Sequence, residues 1–186
     1  MSRFKNLFPV TLHALWRNNP PEQVTSKLLE WLFDPLSLTA RLKKHCQTLS
    51  VEVLGQKIIA CPPNDACDVI NVGEQVLVRE VLLFCDGKPH VFARSLLPLT
   101  SLTGDQKELA DLGDKPLGHI IFNNPSLERK LIQTATFEAD SSVGVLSQKL
   151  TLPPLTKLWG RRSLFYLEAK PFVVTEVFLS PCEVYQ

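Results

Sequence analysis

Two long strand–turn–strand patterns constrain this chain more than anything else in it. Residues 75–84 and 90–97 are rich in β-branched and apolar residues and flank Asp86-Gly87-Lys88, a hairpin turn signal. Residues 158–167 and 172–179 repeat the pattern across Glu168-Ala169-Lys170-Pro171. Two such hairpins need an antiparallel sheet and a layer to cover it.

Each hairpin carries a charge where alternation places apolar side chains. In Phe172-Val173-Val174-Thr175-Glu176-Val177-Phe178, a period of two puts Glu176 on one face with Phe172, Val174 and Phe178. In Leu77-Val78-Arg79-Glu80-Val81-Leu82-Leu83, Arg79 shares a face with Leu77, Val81 and Leu83. An unpartnered charge in such surroundings loses hydration worth roughly several kcal/mol. An inward arginine is also a receptor for a carboxylate, because its fork of donors matches two oxygens. The residues leave two readings open: a structural Arg–Glu pair inside the sheet, or a pocket for an anionic, hydroxylated substrate. Arg94, in the return strand of the first hairpin, is expected near Arg79.

The remaining elements are shorter. Asn19-Pro20-Pro21-Glu22 predicts a helix start, with Asn19 as N-cap and Val24, Leu28, Trp31 and Leu32 at helical spacing. Asp34-Pro35 ends it, and a second helix is expected from Ser37. Residues 48–60 read as a strand and 61–71 as a loop. Short helices are predicted over 105–112, 116–122 and 126–133. Residues 134–156 read as a strand pair or an irregular excursion. Helices at the start, two hairpins and short helices between them argue α+β with one antiparallel sheet.

Composition narrows the function classes. At 186 residues the chain reads as one domain, 1–186, with a core. A formal net charge of +1 gives no field for nucleic acid or a membrane surface, so neither partner is expected. No apolar run reaches the roughly 18–20 residues of a membrane span, and the N-terminus does not read as a signal peptide. Five cysteines without a CxxC predict reduced thiols in a cytosolic protein. The four histidines show no metal-ligand spacing, and no GxSxG, P-loop or GxGxxG occurs. Arg161-Arg162 reads as a solvated strand edge.

Several segments in order resemble the chorismate pyruvate-lyase family. They are Trp31-Leu32 with Ser37-Leu38-Thr39 and Arg41; Leu77 to Leu83 with Asp86-Gly87-Lys88-Pro89; Ala93-Arg94 with Pro98; Leu99-Thr100-Ser101-Leu102-Thr103-Gly104; Pro116-Leu117-Gly118 with Phe122; Leu158-Trp159-Gly160-Arg161-Arg162-Ser163; and Lys170-Pro171 through Thr175-Glu176 to Phe178-Leu179. The resemblance implies a single antiparallel sheet with helical flaps enclosing a buried ligand cavity. It implies elimination of pyruvate from chorismate to give 4-hydroxybenzoate, the first committed step of ubiquinone biosynthesis, with no metal or organic cofactor. Carried over by position, Arg79 and Glu176 match the family's charged ligand contacts and are the expected catalytic pair. Leu38 and Leu117 match substrate-binding positions whose backbone contacts the ligand; the family often has Met at the first. Residues 136–156 look longer than the family pattern. A cytoplasmic monomer is expected. The alternative is a non-catalytic binding protein for aromatic carboxylates on the same fold; a related fold serves elsewhere as a sensing domain of transcription regulators. With about twenty residues before the first helix, no DNA-binding domain is expected ahead of it.

Overall fold

In the computed structural model, which describes residues 4–186, six strands form one antiparallel sheet: β1 (Leu49–Ala60), β2 (Gln75–Cys85), β3 (Lys88–Pro98), β4 (Leu127–Glu138), β5 (Lys157–Leu167) and β6 (Lys170–Phe178). The spatial order is β1-β2-β3-β6-β5-β4. Residues 1–3, part of the stretch read as lacking a signal peptide, lie outside the described residues.

Both hairpins close through two consecutive residues with positive φ. These are Asp86 (47°) and Gly87 (77°) between β2 and β3, and Glu168 (51°) and Ala169 (64°) between β5 and β6. Such turns match the right-handed twist of the strands they join. The two hairpins then pair through β3 and β6, with Ala93 opposite Glu176 and Ser95 opposite Val174. The second hairpin thus docks its return strand against the first.

Both faces of the sheet are covered, which is why β2 is buried along nearly its whole length. On one face Val10, Leu12 and the α4 residues (α4, Ser142–Lys149) Val143 and Leu146 pack on Leu82, Phe84, Phe92 and Val177. The other face carries two apolar clusters. One joins α1 (Ser26–Leu32) and α2 (Leu38–Leu42) to Val81, Leu83, Val91 and Phe178. The other joins the 3-10 turn Gly104–Ala110 and α3 (Leu117–Ile121) to Leu77, Leu97, Phe165 and Phe172.

Three expectations change. The first helix starts at Ser26, capped by the Thr25 hydroxyl, which accepts from the Leu28 N–H at 3.2 Å. Gln23 has φ 55°, so a helix begun at Pro20 cannot continue through it. Residues 126–133 are not a helix: β4 begins at Leu127. A register shift between Arg129 and Leu131 inserts one residue, which breaks the alternation that would mark a strand. Residues 134–156 finish β4 and then form α4 before the chain enters β5. The five cysteines are free thiols.

Candidate functional site

The site lies where the two apolar clusters of the helix-covered face meet. The strands supply its floor. One row across the sheet runs Arg79, Ser95, Val174; the next runs Val81, Ala93, Glu176, Arg161. The short helices supply its roof, α2 through Leu38 and Thr39 and α3 through Leu117 and Gly118. A cavity between them is lined by all four of the positions expected from sequence: Leu38, Arg79, Leu117 and Glu176. Arg129 and Phe165 line it too.

Arg79 and Glu176 do not pair with each other, which removes the simple reading of a structural ion pair between them. Arg79 is 2% exposed. Its Nη2 donates to the carbonyls of Gly113 (2.9 Å) and Lys115 (3.1 Å), and its Nε is buried without a partner. Among the described residues no carboxylate lies within ion-pair distance of it. Burial lowers the Arg79 pKa and the charge of Asp114 partly restores it; a guanidinium stays protonated at neutral pH regardless. The loop over residues 113–115 therefore holds a desolvated cation at one side of the cavity.

Glu176 faces the cavity from β6 and is held from behind. Arg161 Nε donates to its carboxylate at 2.6 Å. Arg161 is fully buried, and its Nη1 also donates to the carbonyls of Trp31 (3.0 Å) and Asp34 (3.1 Å). Arg161 was expected on a solvated strand edge; it is instead the clasp between Glu176 and the end of α1. Its neighbour Arg162 points to the other face, bonds Gln133 and lies over the Trp16 ring. Adjacent residues of a strand face opposite ways, so one arginine of the pair had to turn inward.

Arg94 also lies away from the place expected for it. It sits directly opposite Glu80, not Arg79, and so on the other face. There it forms a buried cluster with Glu80 and Asp65, and Glu80 also accepts the Val10 N–H at 2.8 Å. This cluster pins the N-terminal segment to the sheet, away from the cavity.

Arg129 gave no signal in the sequence because the stretch read as helical. Its guanidinium lies 4.7 Å from the Phe165 ring centre and 5.3 Å from that of Phe122. Its Nη1 donates to the Asp34 carbonyl at 2.7 Å, and its Nε is buried without a partner. Burial, with the like charge of Arg161, lowers its pKa to about 10. The Asp34 side chain looks outward to Arg41. Burial would raise its carboxyl pKa, but bonds from Arg41 and the Leu36 N–H hold it below the usual value.

Leu38 and Leu117 are each the first residue of a short helix. Their backbone N–H groups belong to the first turn and have no intrahelical acceptor. The arrangement is an apolar cleft with cations at separate points, one anchored carboxylate and spare backbone donors, which suits a small ring-bearing acid.

The family model described as chorismate lyase matches residues 10–186. Proteins named probable chorismate pyruvate-lyase are similar along most of their length. The one from Psychromonas ingrahamii is 38% identical, covering 95% of this chain and 96% of its own. That from Pseudoalteromonas translucida is 40% identical, covering 96% and 98%. Among solved structures, PhnF from Mycobacterium smegmatis superposes with a TM-score of 0.59 at 15% identity, over 78% of this chain and 64% of PhnF. The ligand-binding domain of a putative GntR-family regulator from Bordetella bronchiseptica gives 0.53 at 19% identity, over 72% and 85%. At these identities the two structures share the fold with this chain.

Proposed function

The chain belongs to the chorismate lyase family, and from that premise we propose that it eliminates pyruvate from chorismate to leave 4-hydroxybenzoate. The observation that carries the site assignment is the lone buried guanidinium of Arg79 in the same cavity as the anchored carboxylate of Glu176. Arg79 takes the ring carboxylate of chorismate. Glu176, held by Arg161, accepts a hydrogen bond from the ring hydroxyl at the opposite end. Backbone N–H groups of Leu38 and Leu117 complete the contacts from the flaps.

The chemistry asks for positioning above all. The bond between the ring and the ether oxygen breaks, and the ring carbon bearing the hydroxyl gives up its hydrogen. The departing enolpyruvyl group gains that proton and leaves as pyruvate. The ring becomes aromatic, so the step runs downhill. Fixing the reacting conformation and steadying charge on the fragment are what the protein contributes. The reading takes the chain as one domain, a cytosolic monomer acting at the entry to ubiquinone synthesis.

The test is to mix purified protein with chorismate and follow both products. Equimolar 4-hydroxybenzoate and pyruvate are expected. Arg79→Ala should lose about 2–5 kcal/mol of transition-state stabilisation in kcat/KM. Full activity in that variant would displace the site. Binding of 4-hydroxybenzoate without turnover would make the chain a binding protein on this fold.

A further inference from the structure

We infer that Arg129 binds the second carboxylate of the substrate, the one on the departing three-carbon fragment, and that the cavity thereby selects a dianion. The inference rests on chorismate as the substrate.

The charge balance of the cavity leads to it. Glu176 is neutralised by Arg161 at 2.6 Å. Asp34 is ion-paired with Arg41 at 2.8 Å, and Asp114 acts on Arg79 from beyond ion-pair distance. Two guanidiniums are left over, the buried one of Arg79 and the half-buried one of Arg129, whose Nε is buried, and neither meets a carboxylate among the described residues. Buried charges without partners are costly, and two of opposite sign brought by one ligand would offset both. Chorismate carries two carboxylates; its product 4-hydroxybenzoate carries one.

The placement fits the connectivity of the substrate. Arg129 pairs across β4–β5 with Phe165, whose ring stacks on Phe172 of β6, so it lies on the floor of the same sheet face as Arg79. β4 and β2 are four strand spacings apart, about 19 Å between backbones. Two long side chains reaching inward from there can meet opposite ends of one small molecule. Glu176 lies on β6, between them. The ether of chorismate sits on the ring carbon next to the one bearing the hydroxyl. A hydroxyl held by Glu176 therefore directs the enolpyruvyl arm to the Glu176 side of the cavity. Beside the ion-paired Arg161, Arg129 is the cation there without a carboxylate of its own, close enough for the charges of Glu176 and Asp34 to act on it.

Arg129 is also poised rather than spent. The rings of Phe122 and Phe165 fix its plane, and one carbonyl, Asp34, takes Nη1. Other donors, Nε among them, are unused. A carboxylate can occupy them without displacing an existing ion pair.

The experiment compares substrate with product. In Arg129→Met, kcat/KM for chorismate should fall about 10- to 100-fold, the range for a lost charge-assisted contact. The Kd for 4-hydroxybenzoate, measured by calorimetry, should stay within about threefold, since product brings no second carboxylate. Arg129→Lys should recover part of the chorismate loss, because it restores charge without the fork. Equal weakening toward chorismate and 4-hydroxybenzoate would mark Arg129 as a structural clasp on Asp34 and overturn the inference. So would an unchanged kcat/KM. If the wild-type protein binds 4-hydroxybenzoate but turns over no chorismate, the functional reading fails first and this inference falls with it.

Discussion

Arg161 never reaches the ligand in this arrangement, yet it decides what Glu176 can do. It is fully buried and ties the Glu176 carboxylate to the Trp31 and Asp34 carbonyls. Removing it strands a carboxylate in a largely dry place. Arg161→Met should cost about 3–5 kcal/mol of stability, read by denaturant unfolding, because breaking a buried pair exposes the full desolvation penalty of the survivor. Combining it with Glu176→Gln should be less harmful than the sum of the two changes, by about 0.5–3 kcal/mol. Strict additivity would mean the pair is not coupled. Glu176→Gln alone separates two roles: near-normal turnover would rule out an essential base and leave Glu176 as an orienting acceptor.

The elements differ in how much their residues announce. The hairpins were legible because the turn chemistry and the alternation agreed, and their charged interruptions, Arg79 and Glu176, stood out against that regularity. The flap α2 was legible too: Ser37 caps it, accepting from the Ala40 N–H at 3.3 Å. Ser37→Ala should remove about 1 kcal/mol of cap stability. The amides of α2 should then exchange with deuterium faster, while those of β3 and β6 stay as they were; unchanged α2 protection would show the cap to be idle. β4 was illegible because its bulge reset the alternation in mid-strand. That single inserted residue hid Arg129. Arg161 was hidden differently: two adjacent arginines look alike in a sequence, and only pairing of β5 with β6 opposite Glu176 decides which one is buried.

For the molecule as a whole, acid sensitivity has an identifiable source far from the cavity. Asp86, at the tip of the β2–β3 hairpin, accepts the N–H groups of Thr48 and Gln47 and the Thr48 hydroxyl. The Thr48 backbone bond, with the other bonds, lowers its pKa from 3.8 against the opposing effect of desolvation. A carboxyl with a lowered folded value adds stability above its unfolded value, and that part is lost as pH falls through the folded one. Asp34 adds in the same sense. Asp86→Asn keeps a residue that tolerates the φ of 47° while deleting the charge. Its unfolding free energy should vary less with pH below about 4 than that of the wild type. Parallel curves would place the acid sensitivity elsewhere.

The roof of the cavity carries one more consequence. A methyl group added to Gly118 would sit 3.4 Å from the oxygens of both Ser37 and Thr39, so α2 and α3 approach each other closely over the cavity. Its free interior is about 50 Å³, room for a few waters. A guest as large as chorismate enters only when the helices part, and it leaves by the same door. The speed of exchange is then set by how readily α2 and α3 separate. A competitive inhibitor should show an onset that lengthens with flap stability, and a potency read after seconds will differ from one read after an hour.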